Sequence, residues 1–148
     1  MNTKKWLLGG LASLIVMLVL SFLWYQVIMG GFYKEKTADV ARVQMETTHW
    51  LALVLGYLFL AFLMSYIYPI GYKGGSPAKE GLRFGIIVGL LVWLCANVIL
   101  FAVYKLLLVG IVVDILYHVV EQGVGGIVIA FIYGKGPAAK AVPPPPSA

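Results

Sequence analysis

The chain has 148 residues, of which 61% are hydrophobic and 11% charged, and its mean hydropathy is +0.94. This composition excludes an ordinary soluble domain and indicates an integral membrane protein with room for about four helical spans of ~20 residues each. The net charge of +5 does not predict nucleic-acid binding, because the Lys and Arg residues stand singly or in pairs at the ends of apolar segments, where they orient a membrane protein.

The first apolar segment extends from about Trp6 to Met29. It follows a short basic stretch, as a signal peptide does, but it is too long for a signal h-region and no small-x-small cleavage site follows it, so we interpret it as a retained span. Gly30 and Gly31 are expected to end this helix. Trp24 and Tyr25, near the same end, are typical of the aromatic belt at a membrane interface.

The second span is predicted from His49 to Pro69. In the loop before it, a short amphipathic helix is expected to begin near Thr37, a suitable N-cap residue. If that helix continues into the span, Glu46 and His49 share one of its faces.

The third span is predicted from about Gly81 to Tyr104, after a helix-start signal at Ser76 and Pro77. Gly81, Gly85 and Gly89 recur every four residues and predict a smooth stripe against which another backbone can pack.

The fourth span is predicted from Ile111 to Tyr133, and the short connection before it indicates an antiparallel hairpin with span three. A turn centred near Leu108 would place Asn97 opposite Glu121 as a hydrogen-bond partner. Further along span four, Gly123 and Gly126 offer small surfaces for the glycine stripe.

Residues 1–134 are therefore predicted to form one all-α, four-helix membrane domain, and residues 135–148 a proline-rich tail. The four consecutive prolines of the tail favour an extended polyproline II segment, either solvated or docked on a partner. The single cysteine, Cys95, excludes an internal disulfide.

Four spans place both termini on one side of the membrane, and charge predicts that this side is cytoplasmic. The termini and the second loop carry seven cationic residues, namely Lys4, Lys5, Lys73, Lys79, Arg83, Lys135 and Lys140, against four on the other side, namely Lys34, Lys36, Arg42 and Lys105. We therefore expect a multi-pass protein of a bacterial-type cytoplasmic (inner) membrane.

Span four contains three ionisable residues, Asp114, His118 and Glu121, spaced so that they share one helix face. Such groups at membrane depth are costly and mark functional sites. The predicted topology also brings Glu46 and His49 into the same outer half.

These five residues admit several interpretations. Glu46-x-x-His49 and His118-x-x-Glu121 resemble the ligand pairs of metal-binding bundles, and imidazole with carboxylate suits zinc, iron, copper or manganese. The two histidines could instead ligate a haem, which has less support, or Asp114, His118 and Glu121 could conduct ions or protons. The structural alternative is a network that joins these groups with Asn97 and fixes helix register. No cofactor is predicted outright.

Four stretches carry a family resemblance: Phe22 to Tyr25 closing span one, Gly30 to Phe32 after it, Gly85 to Trp93, and Ile111 to Tyr117 with Asp114. They resemble a family of small four-span membrane proteins catalogued as domain of unknown function 1761. The resemblance implies the four-span fold. It implies no site residue, because no catalytic or binding residue is established for that family.

The function expected from the sequence is that of a structural or accessory subunit, which packs in the bilayer against other membrane subunits or against itself through its glycine faces. The alternative is a metal-binding or ion- or proton-conducting protein that uses the outer-half cluster. No nucleophile stands at helical spacing from a base and no phosphate-binding loop is present, so enzyme activity is not expected.

Overall fold

The structure, a computed structural model, describes residues 2–36 and 44–134. These residues form four helical spans, each long and apolar enough to cross a membrane: Thr3–Ile28, Thr47–Ile67, Pro77–Val103 and Leu108–Tyr133. No strand occurs among them. The predicted all-helical, four-span architecture is confirmed.

Span one consists of helix α1 (Thr3–Phe22) and a π-helical turn, Leu23–Ile28, which we call the first π turn. The side chain of Asn2 caps α1 by accepting a hydrogen bond from the backbone N–H of Lys5 (3.2 Å). At Met29 the chain bends and then continues as helix α2 (Gly30–Lys36).

Span one ends at Ile28, close to the predicted end at Met29, but Gly30 and Gly31 are not its terminating residues, because they begin α2. A glycine that terminates a helix usually adopts a left-handed conformation, and in the described chain only Gly74 and Gly134 have positive φ. The loop helix predicted from Thr37 lies outside the described residues.

Span two is the single helix α3 (Thr47–Ile67). Span three comprises α4 (Pro77–Gly89), a second π turn (Leu90–Leu94) and α5 (Cys95–Val103). Span four is α6 (Leu108–Tyr133), the most deeply buried of the four, so it is the central helix of the bundle.

Helices α4 and α6 approach each other closely along the glycines of α4. A Cβ atom added at Gly81 would lie 2.6 Å from the Cα of Ile127, and one added at Gly89 would lie 2.8 Å from the Cα of Val119. Between them, Gly85 faces the backbone of Gln122. The two backbones are therefore in contact, which side chains larger than hydrogen would prevent.

Two glycines of α6, Gly123 and Gly126, lie at the same interface. A Cβ atom at Gly126 would meet the backbone of Gly81 and Gly85, and one at Gly123 would lie 3.1 Å from Cδ1 of Leu82. Glycines thus meet glycines at this contact, and their positions set the register of α4 against α6.

This register corrects the expected pairing of Asn97 with Glu121. Gly85, three helical turns before Asn97, is the residue that lies at the level of Gln122. The pairing was predicted by counting residues outward from a turn centred near Leu108, but the turn lies between Val103 and Leu108. In addition, α5, which carries Asn97, packs far less against α6 than α4 does.

An apolar core occupies the half of the bundle that contains the N-terminus. Its buried members come from spans one, two and four and from the start of the second loop: Leu14, Met17, Ala61, Met64, Tyr68, Ile129 and Ala130. The other half contains buried polar side chains instead.

Candidate functional site

The three ionisable residues of α6 lie on one face and become more buried along the helix. The side chain of Asp114 is 20% exposed, that of His118 2%, and that of Glu121 is completely enclosed. The row thus leads from the edge of the bundle, at the end opposite the N-terminus, to its interior.

Glu121 is surrounded by hydrogen-bonding groups from two spans. Its Oε1 atom accepts from the hydroxyls of Tyr117 (2.7 Å) and Tyr57 (3.0 Å). Its Oε2 atom lies 2.8 Å from Nδ1 of His118 and accepts from the side-chain amide of Gln122 (3.2 Å). Both oxygens therefore have two partners each, which is what allows a carboxyl group to be buried in an apolar span.

His118 connects the two carboxyl groups through different ring nitrogens. Nδ1 faces Glu121, and Nε2 lies 3.1 Å from the hydroxyl oxygen of Tyr25. The same hydroxyl donates to Oδ1 of Asp114. Because Nε2 and Oδ1 of Asp114 are 3.8 Å apart, too far for a direct hydrogen bond, the Tyr25 hydroxyl is the bridge between them.

Trp93, from the second π turn of span three, covers a face of the His118 ring. The two rings are parallel, with an interplanar angle of 3° and centroids 3.4 Å apart. The histidine therefore has a contact on both nitrogens and on a ring face, and these come from three different spans.

Helix α2 reaches the outer end of the row. The hydroxyl of Tyr33 donates to Oδ1 of Asp114 (3.4 Å) and accepts from Nε1 of Trp24 (3.3 Å). Burial raises the pKa of the Tyr33 hydroxyl above its usual value, so this residue stays protonated through the neutral range and can donate to the carboxylate.

The inner end of the row branches toward spans one and two. The hydroxyl of Tyr57 lies 3.0 Å from Oγ of Ser21 as well as from Glu121. Beyond Glu121, Oε1 of Gln122 and Oγ of Ser13 are buried without a hydrogen-bond partner among the described residues. Hydrogen bonds thus continue from Glu121 to Gln122 and, through Tyr57, to Ser21, and among the described residues Ser13 is not joined to them.

An apolar groove of about 440 Å³ lies on the outside of the network, between the first π turn and α6. Trp24 and Tyr117 line it and stack on each other, with centroids 4.8 Å apart and an interplanar angle of 10°. The ring of Tyr117 therefore lines the groove, while its hydroxyl donates to Glu121 inside the bundle.

The structure does not bring Glu46 and His49 into this network. Glu46 is exposed and His49 is half-buried, and Nδ1 of His49 accepts a hydrogen bond from the backbone N–H of Glu46 (3.1 Å), so together they cap the start of α3. Asn97 is buried, but its side chain donates to the carbonyl of Trp93 (2.9 Å). Of the six polar residues singled out from the sequence, Asp114, His118 and Glu121 meet.

Metal and haem binding were alternatives for these residues. Across residues 2–36 and 44–134, no three His, Cys, Asp or Glu side chains are grouped so that they could hold a metal ion. Axial ligation of a haem by His118 would require breaking one of its two nitrogen contacts, and His49 lies at the exposed start of a different helix.

Sequence reasoning missed the aromatic residues that complete the network. Tyr117 could have been found, because it lies four residues before Glu121 on the same helix face. Tyr57 stands in the middle of an apolar span, where a phenol needs a partner. Trp93 and Tyr25 carried no such signal, since the π turns that direct them cannot be read from spacing.

Comparison of the chain with known protein families, with curated proteins and with solved structures finds no match. The resemblance to the four-span family therefore stays a prediction, and function must be argued from the geometry of the network.

Proposed function

We propose that the protein transfers protons within the membrane along Asp114, Tyr25, His118 and Glu121. The observation that carries this proposal is the Tyr25 hydroxyl, which completes a hydrogen-bonded chain between two carboxyl groups that would otherwise be interrupted. A network that served only to fix helix register would not need a carboxyl group at each end of a histidine.

Tyr25 and His118, the two groups between the carboxyl groups, each release one proton for the one that they accept, so the transfer conserves atoms and charge. When Asp114 is protonated, it donates to the oxygen of Tyr25, and the hydroxyl directs its own proton to Nε2 of His118. The Asp114 proton moves to Tyr25, the Tyr25 proton to Nε2, and the Nδ1 proton of His118 to Oε2 of Glu121. One proton has moved from Asp114 to Glu121, Tyr25 and His118 are neutral before and after, and the imidazole has changed tautomer.

Transfer beyond Glu121 requires a second step. The apolar side chains of Met17, Met64 and Ile129 fill the half of the bundle with the N-terminus, and all three are buried. We therefore propose gated transfer and not an open pore. In gated transfer, Glu121 holds the proton until that half of the bundle hydrates or rearranges.

The direction of transfer follows from the orientation in the membrane. If the termini are cytoplasmic, as charge predicts, Asp114 is the entrance from the outer side of the inner membrane.

A second candidate is the accessory subunit expected from the sequence. The least buried span is span three, whose α5 residues Val98, Ile99 and Val103 are exposed on the surface of the bundle. This apolar surface supports packing against another membrane subunit or a second copy. The two functions are compatible, because α5 contributes no hydrogen bond to Asp114, His118 or Glu121 among the described residues.

The test is proton flux into liposomes that contain the purified protein and a pH-sensitive dye, driven by a potassium diffusion potential. Replacing the relay histidine, His118→Gln, should reduce flux by about 100-fold, as for the loss of a group that accepts and donates the transferred proton. The matched control is His49→Gln, which changes the other histidine of the chain and should conduct like the wild type.

Flux of the wild-type protein no greater than that of protein-free liposomes would refute the proposal. Equal flux in the two histidine variants would refute it as well, because the relay would then not pass through His118.

A further inference from the structure

Two of the four spans contain a π-helical turn, and both turns direct an aromatic side chain onto His118. The first π turn, Leu23–Ile28, carries Tyr25, and the second, Leu90–Leu94, carries Trp93. A π turn inserts one extra residue, which disturbs the regular hydrogen bonding of a helix, and such turns occur frequently at functional sites. Both turns therefore place an aromatic residue against the same imidazole.

The contacts of the second π turn explain how Trp93 reaches the histidine. Gly89, immediately before the turn, allows the backbone of α4 to approach α6, because a Cβ atom there would lie 3.3 Å from the carbonyl oxygen of His118. The extra residue of the turn then directs the indole over the imidazole. After the turn, the buried side chain of Asn97 donates to the carbonyl of Trp93 (2.9 Å), inside the irregular segment.

The indole is placed for its ring face and not for its N–H group. Nε1 of Trp93 is buried and has no hydrogen-bond partner in residues 2–36 and 44–134, whereas its ring lies parallel to that of His118 at 3.4 Å. Buried tryptophans usually satisfy the N–H group, so stacking is the contact that this position favours.

A stacked ring supplies what the hydrogen bonds of His118 lack. Contacts at Nδ1 and Nε2 define the line between those two atoms, but they leave the imidazole free to rock about that line. A flat surface against its face removes this freedom and keeps both nitrogens directed at Glu121 and Tyr25.

We propose that Trp93, held by the second π turn and by Asn97, is a positioning residue that fixes the ring plane of His118. The effect on proton flux rests on the proposed function, whereas the effect on the ring itself does not. Asn97 acts one step further away, by holding the Trp93 carbonyl.

The ring can be observed separately from flux, because His49 and His118 are the two histidines of the chain. In a His49→Gln background, protein labelled with ¹⁵N-histidine and reconstituted in liposomes gives imidazole signals from His118 alone. With Trp93 in place, solid-state NMR should show one narrow set of ring ¹⁵N signals. Trp93→Leu should broaden or split them, and flux should fall by about tenfold, as expected when a reacting group is misplaced.

Two further variants grade the effect. Trp93→Phe retains a flat ring and should keep narrow signals and most of the flux. Asn97→Leu retains every ring of the site and should broaden the signals less than Trp93→Leu. If Trp93→Leu does not fold, Asn97→Leu still tests the inference. Trp50→Leu, at an exposed position, is the control for loss of an indole and should change neither measurement.

Wild-type ring signals in both Trp93→Leu and Asn97→Leu would overturn the inference, and so would a loss of flux without a change in those signals. Failure of the proposed function is a different result: no flux in the wild type, with ring signals that still respond to Trp93→Leu.

Discussion

The two halves of this bundle are built from the same four spans but are held together by different interactions. In the half with the N-terminus, Gly81 and Gly85 of α4 and Gly126 of α6 bring the two backbones into contact beside an apolar core, and this contact continues to Gly89 at the level of His118. In the opposite half, buried carboxyl, imidazole and phenol groups satisfy one another. The first arrangement is sufficient to associate helices in a membrane, since close packing is a main source of helix association there.

The polar half therefore requires an explanation other than stability. Hydrogen bonds between helices in membranes contribute only ~0.6 to 2 kcal/mol each, while a carboxyl group in a span is costly to insert. This difference predicts that substitutions in the glycine half mainly lower the free energy of unfolding, and that substitutions in the polar half mainly lower proton flux.

The largest effect on stability is expected for Gly85→Ala. Its Cβ atom would collide with the backbone of Gln122, which cannot move away as a flexible side chain could, so the free energy of unfolding should fall by about 3 kcal/mol. The measurement is the unfolding midpoint in a detergent series. The matched control is Gly56→Ala, at a helix position where no described residue would lie within 4 Å of the added Cβ atom, so alanine should be neutral or slightly stabilising. Equal midpoints for the two variants would show that α4 and α6 are not in contact at Gly85.

A smaller effect on stability, but a large one on flux, is expected for Glu121→Gln. The amide retains the shape of the side chain and can still accept from Tyr57 and Tyr117, so the free energy of unfolding should change by less than about 2 kcal/mol. It cannot take up the transferred proton, so flux in liposomes should fall by about 100-fold. A severely unfolded protein, or one with normal flux, would contradict the assignment of different roles to the two halves.

The smallest effect is expected for Glu46→Gln, outside both halves. Glu46 is exposed at the start of α3 and its partner there is His49, so the free energy of unfolding should change by no more than about 1 kcal/mol, with flux unchanged.

The same variant tests the metal site predicted from the sequence, by thermal unfolding with and without added Zn²⁺. Stabilisation by zinc that disappears in this variant would favour that site.

The sequence predicts the spans and the glycine contact well, for a physical reason. Apolar length determines which segments can cross a membrane, and a four-residue repeat such as Gly81, Gly85 and Gly89 keeps one helix face smooth however the helix is rotated. Asp114, His118 and Glu121 could be assigned to one face for the same reason, because they lie on a single helix and their spacing follows its period.

Relations between helices could be predicted much less well. Where nearly all faces of a span are apolar, periodicity does not determine rotation, so nothing in the sequence excluded Glu46 and His49 from the network. Asn97 was assigned to the wrong partner, since the hairpin length does not reveal where α4 and α6 make their closest contact. Tyr25 and Trp93 reach His118 through π turns, which shift the direction of every side chain after them and have no simple sequence signal.

The most direct test of the proposed relay is proton flux in Tyr25→Phe, because this change removes the hydroxyl that joins Asp114 to His118 among the described residues and leaves both ionisable groups in place. Tyr66→Phe, at an exposed position of α3, is the matched control for loss of a phenol hydroxyl. We predict that Tyr25→Phe lowers flux by about 100-fold while Tyr66→Phe conducts like the wild type. Wild-type flux in Tyr25→Phe would show that protons do not cross the 3.8 Å between His118 and Asp114 through Tyr25, and the proposed relay would be wrong.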